Sequence, residues 1–253
     1  MNELDLKNYW KAEEAIAQMK GWDFSYISGR FKSYEDDLPW DYKEIVQKYL
    51  RPQDKILDID TGGGEFLLSL NHPYGLTSVT EGYAPNVKLC QEKLGALGIR
   101  VCEVTDYSRM PFADGEFDVI INRHGAYDAE EIRRILKPGG LFITQQVGED
   151  NDRELVEMLL PGMPKSFPGM NLREQRKVFF NVGFHILQAE EAFRPIEFSD
   201  VGALVWFARI IAWEFVGFSV EKCFEQLLQV QKEVEGNGCV RGRIHRYLLV
   251  AKK

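Results

Sequence analysis

The stretch KILDIDTGGGEFLLSL, residues 55–70, decides how this chain is read. An apolar run ends in the carboxylates Asp58 and Asp60, three glycines follow at 62–64, and a second apolar run starts after Glu65. A β-branched run, broken by glycine and resumed by helix formers, predicts a strand, a tight turn and a helix. At the carboxyl end of an open α/β sheet such a turn offers backbone N–H groups to a ligand, so a nucleotide-like molecule is the expected occupant. The dinucleotide spacing G-x-G-x-x-G would put Leu67 where close helix–strand packing asks for glycine, which counts against a nicotinamide cofactor.

Outward from this turn, short β-branched runs alternate with helical stretches, the pattern of βαβ units on a mostly parallel sheet. Further strands are expected at 76–80, 99–104, 117–121 and 141–147, and helices at 65–70, 85–97 and 129–136. The last of these helices opens on Asp128, with Glu131 three residues on, and stops at Lys137-Pro138-Gly139-Gly140. Beyond Gly148 the pattern predicts helices near 152–160 and 172–181 around a Pro/Gly/Met-rich loop, then two extended segments, helices at 201–216 and 220–234, and a closing strand at 244–253. The expected fold is α/β: a doubly wound, mostly parallel Rossmann-like sheet with an antiparallel closing strand and helical lid additions. Residues 1–50 are expected to form a helical, aromatic cap and 51–253 the sheet domain, with a lid insertion at about 199–236.

Composition narrows the partners. The 253 residues are 45% hydrophobic, enough for a sizeable core. Acidic side chains outnumber basic ones, 39 to 31, and the net charge of −8 repels a phosphate backbone, so nucleic acid is not an expected partner. Cys90, Cys102, Cys223 and Cys239 show neither C-x-x-C spacing nor a histidine at ligand spacing; no metal site or disulfide framework is expected, and a reducing compartment fits. The N-terminus is charged from its third residue, without an apolar signal segment, and the longest apolar run, 201–216, carries Arg209 and Glu214 and is too short to cross a bilayer. A soluble cytoplasmic protein without a membrane partner is the expectation.

Asp58, Gly62 and Gly64 match the D-x-G-x-G-x-G motif of class I S-adenosylmethionine-dependent methyltransferases, and the sequence resembles that family in order over residues 55–147. Glu81 follows Gly64 by 17 residues, where the family uses an acid to accept the ribose hydroxyls. Asp106 and Tyr107 stand where the family receives the adenine amino group and lines the ring, and RRILKPGGLFIT, residues 133–144, is similar to its helix, turn and fifth strand. The resemblance implies S-adenosyl-L-methionine as cofactor, held by Asp58, Asp60, Thr61, Gly62 and Gly64 at the turn, by Glu81 and Gly82, by Asp106 and Tyr107, and by Asn122. Asp60 departs from the pattern, which has glycine there. Residues two apart on a strand share a face, so Asp58 and Asp60 are expected to point together toward the cofactor's amino-acid end. Asp60 would there pair with a cation or repel the cofactor carboxylate; a turn residue facing solvent is the other reading.

In such a cofactor the methyl group is already activated, so the protein mainly aligns a nucleophile and excludes water. His124, after the fourth strand, is the candidate base, with a satisfied strand-end histidine as the alternative. Asn122-Arg123-His124-Gly125 lacks the Asn-Pro-Pro-Tyr motif of amino-group methyltransferases of nucleic acids and proteins. Aromatic residues crowd the N-terminal segment (Tyr9, Trp10, Trp22, Phe24, Tyr26, Phe31, Tyr34, Trp40) and the 201–216 helix (Trp206, Phe207, Trp213, Phe215), which suggests a lid over a small, partly apolar acceptor. Trp10, Arg123, Tyr127 and Trp206 are the candidate acceptor contacts. A methyltransferase acting on a small molecule is the leading reading; an RNA or protein methyltransferase and a non-catalytic cofactor-binding protein are the alternatives. No motif specifies the acceptor or an oligomeric state.

Overall fold

The computed structural model describes residues 1–18 and 23–253; Trp22 lies outside the described residues. In chain order the elements are α1 (Glu3–Ile16), β1 (Phe31–Ser33), α2 (Tyr42–Tyr49), β2 (Ile56–Ile59), α3 (Glu65–Ser69), β3 (Thr77–Glu81), α4 (Ala84–Lys93), β4 (Arg100–Glu103) and β5 (Phe117–Arg123). They continue with α5 (Ala129–Ile135), β6 (Leu136–Val147), α6 (Arg153–Leu159), α7 (Leu172–Asn181), β7 (His185–Phe198), α8 (Val201–Ile210), α9 (Phe224–Asn237) and β8 (Val240–Lys252). The chain divides into two compact units. A sheet unit takes Pro39–Val147, Gly169–Glu191 and Arg246–Lys253, and a helical unit takes Met1–Leu38, Gly148–Pro168 and Ala192–His245. Strands β7 and β8 each change unit part-way along.

In the sheet unit the strand order is β7-β8-β6-β5-β2-β3-β4. Strand β2 is buried at all four residues, as an inner parallel strand must be, and pairs in parallel with β3 and with β5. The chain runs outward from β2 through β3 to β4, then returns to β5 and β6, so the order reverses between β2 and β5. That reversal opens a crevice at the carboxyl ends of these two strands. β8 closes the sheet antiparallel to β6, from Leu141↔Lys252 to Val147↔Arg246. The core joins Leu57, Ile120, Phe142 and Leu249 of the strands to Ile132, Ile135 and Phe179 of the helices, with the Phe142 and Phe179 rings stacked at 5.3 Å.

The helical unit has its own core, in which α1 packs on α8 and Leu6, Leu155, Leu204, Phe207 and Leu227 meet. α8 is apolar nearly all round and buried at nine of its ten positions, so it is an interior helix. β1, a three-residue strand too short to leave a period in the sequence, pairs antiparallel with β7 at Phe31↔Phe198.

Several boundaries moved for local reasons. The expected 201–216 helix ends at Ile210, where a β-branched Ile210-Ile211 pair precedes a turn, and the next helix starts at Phe224 and runs to Asn237, capped by the left-handed Gly238. The two extended segments after residue 184 form one strand, β7. β6 begins at Leu136, and a register shift against β5 absorbs the Lys137–Gly140 stop. No helix among the described residues is long and apolar enough to cross a membrane.

Candidate functional site

The glycine turn between β2 and α3 is tied from outside. The Cys90 thiol of α4 donates to the Gly62 carbonyl at 3.0 Å, and the Lys93 ammonium donates to the Gly63 carbonyl at 2.9 Å. Gly64 has φ +76°, and a Cβ there would lie 2.8 Å from the Leu94 side chain. Gly64→Ala is therefore expected to destabilise the protein by roughly 1–3 kcal/mol through a left-handed backbone and a core clash, read from the urea midpoint. Gly62, at φ +62°, has the opposite surroundings: nothing lies within 4 Å of a Cβ built on it. The turn thus packs tightly at Gly64 and is open at Gly62.

Three carboxylates converge on this turn. Glu81, at the end of β3, accepts from the Gly62 N–H through Oε2 at 2.9 Å and from the Gly82 and Tyr83 N–H groups through Oε1, both at 3.0 Å. It therefore fixes the glycine turn and its own loop together. Asp58 is buried on β2 and accepts a 2.6 Å hydrogen bond from Thr61. Burial pushes its carboxyl up to about 7; the Thr61 bond and Arg123 oppose the shift, and the charges of Asp60 and Glu81 add to it.

Asp60 does not continue the strand's alternation. β2 ends at Ile59, and Asp60 itself takes φ +56°, a left-handed backbone conformation that glycine adopts most readily. Its carboxylate accepts from the Tyr107 hydroxyl through Oδ1 and from the Ala126 N–H through Oδ2 at 3.2 Å, so it links the loops after β4 and β5. Burial lifts its carboxyl above the usual range, with the Glu81 charge adding to that effect and the Tyr107 bond opposing it. Burial and the Asp60 carboxylate push the Tyr107 phenol up in turn. Asp106 is exposed and closes its own turn, Oδ1 accepting from the Ser108 N–H and hydroxyl at 3.0 and 2.6 Å.

The carboxyl end of β5 supplies the floor. Asn122 is fully buried; its amide donates to the Ile59 carbonyl at 3.0 Å and its oxygen accepts from Thr144 and Gln146, bracing β2, β5 and β6. The Tyr42 hydroxyl reaches the Asn122 and Ile143 carbonyls at 3.1 and 3.0 Å. Arg123 is exposed, with its guanidinium 5.2 Å from the Phe66 ring centroid. His124 is also exposed, at φ +64°, and its ring faces Gln145, which in turn binds Trp40. Tyr127 turns its hydroxyl toward Gln175 and Tyr247, at 3.0 and 3.2 Å. The sequence reading does not name Tyr42, Gln145 or Gln146, and it names Trp40 only among the lid aromatics. Two adjacent glutamines inside an apolar run, buried to 6% and 3% exposure, were the available signal.

Trp10 and Trp206 lie in the helical unit. Trp10 is fully buried beside Phe224, and Trp206 packs against Phe24 and Tyr26 at 6.0 and 5.6 Å. Both are core side chains of that unit.

This strand, glycine turn and acid pattern has counterparts in known proteins: residues 57–144 match the model of the methyltransferase domain family. Residues 57–144 carry a methyltransferase domain. It is 31% identical over 155 residues to the Caenorhabditis elegans sterol 4-C-methyltransferase strm-1, covering 54% of this chain and 45% of that protein. It is 28% identical over 127 residues to an uncharacterized Methanocaldococcus jannaschii protein, covering 47% of each. The chain thus spans about half the length of these relatives. A functionally unknown Deinococcus radiodurans protein superposes with a TM-score of 0.60 at 15% identity, over 87% of this chain and 90% of the other, a likeness of fold alone. The methyltransferase domain coincides with the part of the sheet unit from β2 to β6, and Asp58, Asp60, Glu81, Tyr107 and Asn122 all fall inside it.

Proposed function

We propose that the chain transfers a methyl group from S-adenosylmethionine to a small-molecule acceptor. The observation that carries this reading is the convergence of Asp58, Asp60 and Glu81 on a glycine turn that is open at Gly62. Carboxylates held together in a partly buried site favour a cationic ligand and oppose a pyrophosphate. S-adenosylmethionine brings an ammonium, a sulfonium and a ribose diol, and the donor set suits all three. Asp58 and Asp60 would face the cationic amino-acid end, and Glu81 Oε2, which accepts one backbone N–H, keeps an acceptor site for a ribose hydroxyl. Asp106 and Tyr107 would border the adenine.

When bound, the cofactor supplies a methyl group already activated by positive sulfur. The chain's own share is to orient the two partners and exclude water. Arg123 and His124, exposed at the carboxyl end of β5, are the proposed acceptor-side groups. The acidic balance of the chain and the sterol named for the 31%-identical relative both favour a small acceptor over a polynucleotide.

Calorimetric titration with S-adenosylmethionine, its demethylated product and NAD tests the cofactor. Both sulfur compounds are expected to bind and NAD is not; tight NAD binding with no heat from the other two would sink the reading. A labelled methyl group offered with a fractionated cell extract tests the acceptor. Label in the small-molecule fraction supports the proposal. Label confined to RNA or protein would transfer it to that class, and binding without any labelled product would leave a cofactor-binding protein.

A further inference from the structure

The Asp60 carboxylate bridges two loops that the sheet keeps apart, all within the sheet unit. β5 adjoins β2 on one side and β4 lies two strands away on the other, so the loops that follow them approach from opposite sides of β2. Asp60 reaches both: Oδ1 accepts from the Tyr107 hydroxyl, and Oδ2 accepts from the Ala126 N–H at 3.2 Å. Its own N–H donates to Thr80 Oγ1 at 3.2 Å, which fixes its backbone against β3. The fit to the second loop is close, because a Cβ built on Gly125 would lie 2.7 Å from Asp60 Oδ2. Among the described residues Asp60 is the hydrogen-bond partner of the Tyr107 hydroxyl, so the link from Tyr107 to residues 124–126 runs through this carboxylate. Glycine takes φ +56° most readily, yet it has no side chain and would leave both donors without this acceptor. Aspartate is among the few other residues that enter the left-handed region, so position 60 has the conformation and the carboxylate together.

We propose that Asp60 is a positioning residue that couples the adenine side of the cofactor site to the acceptor side, so that filling the first orders the second. The coupling rests on the methyl-transfer reading, in which Tyr107 borders the adenine and the segment after β5 faces the acceptor; the bridge itself does not. A ligand that holds the Tyr107 ring fixes its hydroxyl, and the hydroxyl fixes Oδ1. A carboxylate is rigid and planar, so Oδ2 is then fixed against the Ala126 N–H. Ordering this segment before the acceptor arrives lowers the entropic cost of acceptor binding, and by reciprocity the acceptor tightens the cofactor by the same factor. Each carboxylate oxygen keeps a second lone pair, so the bridge leaves Asp60 able to accept from the cofactor's ammonium.

The bridge is tested without ligand, by hydrogen exchange at the Ala126 amide. Asp60→Ala should raise its rate roughly tenfold or more, the equivalent of losing one hydrogen bond to a charged group. Asp60→Asn should keep it near the wild type: the amide oxygen accepts from Ala126, and the Tyr107 hydroxyl turns to accept from the amide nitrogen. Equal rates in wild type and Asp60→Ala overturn the bridge, as does a rate in Asp60→Asn as high as in Asp60→Ala. Tyr107→Phe, expected to raise the rate roughly threefold, takes the place of Asp60→Ala should that variant fail to fold. Coupling is tested with methylthioadenosine, which carries adenine and ribose without an amino-acid end. At saturation, checked by calorimetry, it should slow Ala126 exchange in the wild type and in Asp60→Asn, but not in Tyr107→Phe or Asp60→Ala. A role for Asp60 in packing alone predicts no such response to ligand. Slowing that persists in Tyr107→Phe or Asp60→Ala, or that is absent from the saturated wild type, overturns the coupling. So does a wild type that binds S-adenosylmethionine but not methylthioadenosine; if neither binds, the methyl-transfer reading falls as well. The ligand-free rates depend on neither compound, so failure of the bridge and failure of the methyl-transfer reading are distinguishable.

Discussion

Asp58→Asn should stabilise the ligand-free protein at pH 8 by roughly 2–4 kcal/mol and flatten its pH dependence. The reason is the buried Asp58 carboxyl, pushed up to about 7 first by desolvation. In the unfolded chain the same group titrates near ~4. Below that pH both states carry the proton and the difference contributes nothing. Between about 4 and 7 the unfolded state gives up its proton first, so stability falls as pH rises, and above 7 the folded state carries the full cost of a buried charge. A difference of about three units corresponds to about 4 kcal/mol, the ceiling of the effect. Urea unfolding at pH 5 and pH 8 measures it; equal pH slopes for wild type and Asp58→Asn would show that the site already compensates the charge. The sign reverses for a cationic ligand, which favours ionised Asp58. Its binding near pH 6.5 should release a proton, seen as a buffer-dependent heat in the wild type and lost in the variant.

Glu81→Ala should have the next largest effect, on folding and binding together. Three backbone N–H groups, of Gly62, Gly82 and Tyr83, lose their acceptor at once. Each buried donor left unpaired costs about 1–3 kcal/mol, and water entering the shortened side chain's space recovers part of that, so a net loss of roughly 2–4 kcal/mol is expected. The glycine turn would also lose its tie to β3, so titration with S-adenosylmethionine should give no measurable heat. An unchanged urea midpoint would mean that those N–H groups find water freely; unchanged binding would remove Glu81 from the site.

The parts of the fold written in local signals were legible. Helix α7 runs from Leu172 to Asn181 as expected, because Asn171 caps it by accepting from the Glu174 N–H. The β2 strand and glycine turn were equally plain, since a strand buried on both faces leaves a continuous apolar run. Asp60 shows where local reasoning stops. Strand alternation holds only while φ stays extended, and nothing in IDTGGG states that the chain leaves the strand one residue before the turn. Glu81 was legible as an acid at the right spacing, but its grip on three amides exists only once β2 and β3 are side by side. Trp10 and Trp206 illustrate a different limit: an aromatic residue on an amphipathic segment has the same pattern whether its apolar face meets ligand or core. The interleaving of the two units was not legible, because it is set by contacts between segments distant in sequence.

The antiparallel seam between β6 and β8 bears on how the chain is made. β6 is complete at Val147, yet the segment that pairs with it, from Arg246 onward, leaves the ribosome roughly a hundred residues later. Until then β6 carries a bare edge on apolar residues such as Phe142 and Ile143, a template for pairing with another nascent chain. Closing a loop of that length costs only about 4 kcal/mol, since the entropy grows with the logarithm of length, so the seam is slow to form without being weak. Translation speed and chaperone supply should therefore govern the yield of native protein more than its final stability does, and a stall in synthesis before Arg246 would strand the nascent chain in its most adhesive state.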